Sequence, residues 1–355
     1  MTRIRLIVLF GGESAEHDIS CTSARHVLAA IDPAKYAVEP IGITRTGEWV
    51  RADAALAALE HGVDSLPERL HATGTEIDPL PVLAATSDTG PVVFPVLHGP
   101  QGEDGTVQGL LELMNVAYVG AGVLGSALSM DKIKSKEVLD AHGIDQARWR
   151  GFNADERTAA SEAALVADLG LPLFVKPANM GSSVGVSRVD EAGALAAALD
   201  LAASYDEWLV VEEAVEGREI ECAVLGNRDP AVSIAGEIVP GADFYDYEDK
   251  YDDGAELVIP APLSSDELAA MQTVARRAFL ALRCEGLARA DFFYEADGRG
   301  WLVNELNTMP GFTPISMYPK LWAASGMPYP ELIDRLVQLA VERHERRSAH
   351  RRTDH

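Results

Sequence analysis

Toward its C-terminal end the chain reads DFFYEADGRGWLVNELN, which sets Asp291 on one strand and Glu305 and Asn307 on the next. Residues two apart on a strand share a face, so Glu305 and Asn307 point the same way and three oxygen donors converge. Hard oxygen donors with few carboxylates suit Mg²⁺, which keeps waters and completes its shell from substrate phosphates. Arg289 alternates with Asp291, placing a guanidinium beside that site to meet a transferring phosphoryl group or a developing oxyanion. The plainer readings are a salt bridge between Arg289 and Asp291 and a solvated strand edge. Just beyond, Pro310-Gly311 offers the Gly311 backbone N–H to the same oxyanion.

The segment NMGSSVG follows a strand carrying Lys176. A glycine-rich loop there wraps phosphates with backbone N–H groups, and the hydroxyls of Ser182 and Ser183 add donors. No GxxxxGK[ST] stands at that place, so a plain turn competes until Lys176 and the downstream acids are counted. VVEEAVEGRE supplies Glu212 and Glu219, carboxylates able to hold a nucleotide's base and ribose hydroxyls, although solvated acids look the same. GGESAEHDIS and LHGPQGEDGT suggest a second pocket at a sheet's carboxyl edge, with Glu16 facing an ammonium and His98 and Glu103 in support. A metal pair of His98 and Glu103 lacks further ligand spacing. Neither a Gx[ST]xG elbow nor a catalytic Cys-His grouping occurs, and GGES lacks the second half of a GxGxxG fingerprint.

The 55 acidic residues against 30 Lys and Arg leave a net charge of −25, a field that repels nucleic acid and anionic lipid. Anionic substrates must then be captured by locally placed cations, N–H groups or metal ions. Three cysteines, far apart, suggest neither disulfides nor a zinc site. The one N-terminal apolar run, Leu6 to Phe10, is too short for a signal core, and no stretch approaches about 18 apolar residues, so a cytoplasmic protein without a membrane span is expected.

Positioning these residues takes more than one module, because single cores stop growing near roughly 250–300 residues and this chain has 355. IRLIVLFGG reads as a buried strand ending in a glycine turn, followed by a helix from Asp18 to Ala30. A strand at 37–43, an Ala-rich stretch at 53–60 and VVFPVLHG continue an α/β pattern with a parallel sheet over residues 1–125. Residues 126–217 follow as a small α/β unit with helices at 130–142 and 154–169, the strand LPLFVKP, a helix at 191–204 and the strand EWLVVEEAV. Residues 218–342 carry REIECAVLG, VSIAGEIVP, AELVIPAPL, LARADFFYE and GWLVNELN around a helix at 265–282, a mainly antiparallel unit. Within it GADFYDYEDKYDDG, at 240–256, reads as a long functional loop of omega type, and 343–355 as a frayed, flexible tail.

GGESAEHDIS, HGPQGEDG, SMDKIKSK, FVKPANMGSSVG, FYDYEDKY, ARADF and NELNTMPGFTPIS stand in the order found in D-alanine:D-alanine ligases, and the chain resembles that family from residue 1 to about 340. The resemblance implies an ATP-grasp fold behind an N-terminal substrate-binding domain, and ATP-driven synthesis of D-alanyl-D-alanine through a D-alanyl phosphate for peptidoglycan precursors. It implies ATP between the second and third units, with Lys132, Lys176 and Ser183 toward its phosphates. Glu212 and Glu219 would face base and ribose, Glu213 and Val215 would also bind ATP, and Lys250 would approach the γ-phosphate. Asp291, Glu305 and Asn307 would hold two Mg²⁺ ions, with Mn²⁺ as a substitute. Arg289 and the Gly311 N–H would stabilise the acyl centre, and Glu16 with His98 would bind the first D-alanine's ammonium. Ser182 and Tyr251 would join Glu16 in a triad closing the long loop, and Ser316 and Met317 would receive the second D-alanine's carboxylate. A homodimer paired through the N-terminal region is implied as well. The competing expectations are another ATP-grasp ligase with a different acceptor, as in secondary metabolism, and a nucleotide-binding regulator without turnover.

Overall fold

The computed structural model describes residues 3–84, 90–239 and 256–351. Its first sheet is built on β1 (Ile4–Gly11), whose apolar run is buried from Leu6 onward on both faces, as a central parallel strand requires. Helix α1 (His17–Ala30) returns the chain to β2 (Tyr36–Ile43), and β3 (Trp49–Arg51), α2 (Asp53–Glu60), β4 (Thr75–Glu76) and α3 (Pro79–Leu83) extend that edge. Next come β5 (Val92–Val96), α4 (Thr106–Leu113) and β6 (Ala117–Tyr118). The order is β4-β3-β2-β1-β5-β6, with β2, β1, β5 and β6 mutually parallel and β3 and β4 antiparallel additions. The loops after β1 and β5 therefore leave from the same carboxyl edge and carry Glu16 and His98 to one place.

Helix α5 (Val123–Met130) precedes α6 (Lys132–Ala141), which lies within the helix expected over 130–142. The break lies at Asp131, whose side chain leaves the helix to accept the N–H groups of Ile133 and Lys134 at 3.0 Å. Strand β7 (Trp149–Asn153) precedes α7 (Ala159–Leu169), which begins at a Thr158/Ser161 capping box rather than at 154. Then follow β8 (Leu173–Pro177), β9 (Ser187–Val189), α8 (Leu195–Ala203) and β10 (Trp208–Glu213), giving a second sheet in the order β7-β10-β8-β9.

The third sheet holds β11 (Arg218–Gly226), β12 (Ala231–Val239) and β13 (Glu256–Val258). After α9 (Ser265–Ala281), which starts on a Ser264/Glu267 capping box, come β14 (Gly286–Glu295) and β15 (Gly300–Asn307). All pairings are antiparallel, in the order β13-β12-β11-β14-β15. One face packs on α9 through Met271, Ala275 and Phe279. The other shares a core with the first sheet, where Phe10 and Phe94 meet Leu287, Phe312 and Tyr318. That common core fixes the first sheet against the third.

Helices α10 (Met317–Ala324) and α11 (Tyr329–Arg351) finish the described chain. The frayed tail expected from 343 is corrected here, because α11 runs on to Arg351. Arg343 is buried, stacks 4.0 Å over the Tyr118 ring, and donates to the carbonyls of Tyr118 (3.0 Å) and Gly120. One turn later Arg347 pairs with Glu112 at 2.5 Å. The charge-rich composition concealed a helical face whose arginines meet the N-terminal sheet. The long loop 240–256, with Lys250 and Tyr251, lies outside the described residues except for Glu256 at the start of β13.

Candidate active site

Antiparallel register decides which side chains of the third sheet meet. Glu221 lies opposite Asp291, and Asp291 opposite Glu305, while Arg289 lies opposite Asn307. Alternation puts Glu219, Glu221, Arg289, Asp291, Glu305 and Asn307 on one face, all lining a cleft of about 450 Å³. A bulge between Asp291 and Phe292 shifts the register just past the acidic pair.

The plain salt bridge weighed against Arg289 is present. Its Nε and one terminal nitrogen donate to the two Asp291 oxygens at 2.7 and 2.6 Å, and Nε lies 3.1 Å from Glu221. Burial alone would lower the guanidinium's affinity for its proton, but Asp291 and Glu221 outweigh it, so Arg289 stays charged. Glu221 escaped the sequence reading, since only the strand register could bring it to Arg289. Lys132 lies 3.8 Å from Glu305 and donates to the Met180 carbonyl at 2.7 Å, linking this face to the glycine-rich loop.

That loop holds Ser182 and Ser183 at φ of 50° and 58°, a left-handed pair that turns successive N–H groups toward one side. Ser182 donates to Glu16 at 2.5 Å. Glu16 sits at the N-cap position of α1 without capping it by its side chain, which leaves its carboxylate for the cleft.

His98 is buried with Nδ1 2.9 Å from the Met309 carbonyl, 3.7 Å from Glu103, and Nε2 3.4 Å from Ser23 Oγ. A carbonyl only accepts, so Nδ1 carries the proton. Burial would push His98 down, but Glu103 and Glu16 raise it overall, while burial raises Glu103. Glu103 also accepts the Gly99 N–H at 3.0 Å. Opposite lie Gly311 and, at the start of α10, Ser316 and Met317, which all line the cleft. Ser316 Oγ accepts the Thr313 N–H at 3.0 Å, and a Cβ at Gly311 would come within 2.6 Å of it, so a larger residue there would displace the Ser316 hydroxyl.

Of the other expected nucleotide residues, Lys176, Ser183, Glu212, Glu213 and Val215 do not line this cleft, although Glu305 and Glu219, which do, act on Lys176 through their charge. Glu212 is buried between Lys176 Nζ at 2.7 Å and Lys136 Nζ at 3.0 Å. Burial would raise its carboxyl, yet the two lysines hold it down to about 2, and Glu212 in turn raises Lys176 against burial. Lys136 was missed because a lone helical lysine shows no partner in sequence. Glu213 is taken up by Arg148, at 2.7 Å, and by Arg299, tying the second sheet to the third. Val215 is half-buried in the coil after β10, and Ser183 does not line the cleft.

The donor set suits a hard divalent ion. Asp291 and Glu305 are register partners with the Asn307 amide beside them, and an ionised carboxylate held by Arg289 keeps further lone pairs. Among the described residues no three His, Cys, Asp or Glu form a preformed metal cluster.

A parallel-sheet domain followed by two antiparallel-sheet units, with a cleft of converging acids, a buried guanidinium and a glycine-rich loop, defines an ATP-grasp ligase. Family models described as D-ala D-ala ligase N-terminus and D-ala D-ala ligase C-terminus match residues 5–121 and 138–338. The chain belongs to the D-alanine–D-alanine ligase family. It is 48% identical to a D-alanine–D-alanine ligase from Bacillus licheniformis, over 97% of each chain. It is 46% identical to one from Ruminiclostridium cellulolyticum, again over 97% of each. Among solved structures it resembles the D-alanine-D-alanine ligase from Coxiella burnetii, at 37% identity and a TM-score of 0.84, covering 99% of this chain and 98% of that one. It also resembles the VanG D-Ala:D-Ser ligase from Enterococcus faecalis, at 34% identity and 0.82, covering 96% and 100%.

Proposed function

We propose that this enzyme joins two D-alanines in an ATP-driven reaction, giving D-alanyl-D-alanine for peptidoglycan precursors, with ADP and phosphate released. The observation that carries this reading is one cleft shared by the Arg289, Asp291, Glu305 and Asn307 face, the Ser182–Glu16 link and Ser316. Nothing in the comparisons supports a regulator without turnover.

Glu16 takes the ammonium of the first D-alanine, with His98 and Glu103 supporting the loop around it. The carboxylate of that D-alanine attacks the γ-phosphorus of ATP, forming an acyl phosphate as ADP leaves. Ser316, with the start of α10, orients the second D-alanine by its carboxylate. Its amine attacks the acyl carbon, and Arg289 and the Gly311 N–H stabilise the tetrahedral oxyanion until phosphate departs. Lys132 and the loop at 181–185 hold phosphates. Asp291, Glu305 and Asn307 would hold Mg²⁺, which supplies positive charge against the phosphate oxygens.

The same reading has the enzyme act in the cytoplasm as a homodimer paired through its N-terminal region. Among the described residues no helix is long and apolar enough to cross a membrane. The test is ADP release measured with D-alanine, D-serine, D-lactate and L-alanine as substrates. D-Alanine should be preferred, and a preference for L-alanine would contradict the pocket assigned to Glu16 and Ser316.

A further inference from the structure

Both ends of the glycine-rich loop rest on one short turn outside the cleft. At the loop's entry, Asp206 Oδ2 accepts the Asn179 backbone N–H at 2.8 Å and the Asn179 side-chain amide at 3.0 Å. Its other oxygen accepts the Trp208 N–H at 3.0 Å, fixing the carboxylate to the first residue of β10. At the exit, Gly185 has φ of 73°, and a Cβ there would lie 2.7 Å from the Tyr205 ring and 2.8 Å from Pro177, so ring and proline form the wall on which the loop closes. Between these anchors stand only Met180 to Val184, including the left-handed Ser182-Ser183 pair. Left-handed conformations in non-glycine residues cost free energy and persist only where the surroundings impose them.

We infer that Tyr205 and Asp206, at the turn between α8 and β10, are positioning residues that hold the 179–185 loop in its phosphate-binding conformation. The inference rests on the reading of that loop as a phosphate site. Neither side chain lines the cleft, so each acts through the loop and not on the substrate. Pre-organising a loop raises affinity for the groups it grips and leaves contacts elsewhere unchanged.

The test is equilibrium binding of ADP and of adenosine, with Mg²⁺, to the full chain and to Asp206→Ala, Asp206→Asn and Tyr205→Ala. Asp206→Ala should weaken ADP by about 10-fold and Tyr205→Ala by a smaller factor, with adenosine unchanged within about 2-fold, because only ADP reaches the loop. Asp206→Asn, which keeps one acceptor oxygen, should fall between wild type and Asp206→Ala. Should Asp206→Ala not fold, the half-exposed Tyr205 can still be truncated without opening a core. A wild type that binds adenosine as tightly as ADP would overturn the phosphate reading itself. A wild type that prefers ADP, with variants that keep its full ADP-to-adenosine ratio, would overturn the role given to the turn.

Discussion

The Ser182 hydroxyl donates to Glu16 at 2.5 Å, joining the glycine-rich loop of the second unit to the first helix of the N-terminal domain. One hydrogen bond thus closes the cleft between the proposed ammonium site and the proposed phosphate site. A hydrogen bond to a charged group contributes about 1.5–3 kcal/mol. Ser182→Ala should therefore raise the KM of the first D-alanine by at least about 10-fold, with the thermal midpoint close to wild type. Steady-state kinetics at saturating ATP check this, and an unchanged KM would remove the link from substrate binding.

Arg289 is the only guanidinium lining the cleft among the described residues, and it is clamped by Asp291 and Glu221. Losing one oxyanion donor usually costs about 10²–10³ in turnover, so Arg289→Ala should slow kcat by at least about 100-fold. It should also destabilise the fold, since two buried carboxylates lose their counter-ion. Near-normal turnover in that variant would take Arg289 out of the mechanism.

Glu212 titrates at about 2 in the fold against an ordinary 4.5, because the lysines outweigh the burial that would raise it. A carboxylate lowered in this way stabilises the protein above its unfolded value, and the contribution is lost as pH falls from about 4.5 through about 2. Glu212→Gln, which strands Lys136 and Lys176, should cost about 3–5 kcal/mol at pH 7. The gap from wild type should narrow below pH 4.5. Denaturant unfolding at pH 7 and pH 3 tests this, and a gap independent of pH would contradict it.

Arg343 is the anchor of α11 on the N-terminal sheet, with its guanidinium on two carbonyls and the Tyr118 ring. Arg343→Ala leaves those buried carbonyls without that donor and removes the stacked side chain, at a cost of at least about 2 kcal/mol. Urea unfolding should show the loss. Wild-type stability in a chain ending at 342 would mean that the anchor contributes nothing.

Motifs that concentrate function in a short span were legible before folding. Glu305 and Asn307 share a strand, so the two-residue period aligned them, the short turn before that strand set Asp291 on its neighbour, and GGES and NMGSSVG announced their turns. Residues whose roles depend on long-range register were not legible. Glu221 needs β11 beside β14, Lys136 needs α6 against β10, and Ser23 needs α1 beneath His98. The ending misled for a related reason, since ERHERRSAHRR lacks an apolar stripe and Arg343 gains its partners only through tertiary packing. Glu212, expected with Glu219 toward base and ribose, is enclosed by Lys136 and Lys176, and its sequence neighbours do not show those partners.

In the proposed reaction a carboxylate gathered into this cleft is activated by phosphoryl transfer before an amine displaces phosphate. The direct measurement uses D-alanine labelled with ¹⁸O in its carboxylate, with product phosphate analysed by mass. Inorganic phosphate should carry one ¹⁸O for each D-alanyl-D-alanine formed, because the oxygen that attacks the γ-phosphorus leaves with it. Unlabelled phosphate accompanying dipeptide formation would contradict it.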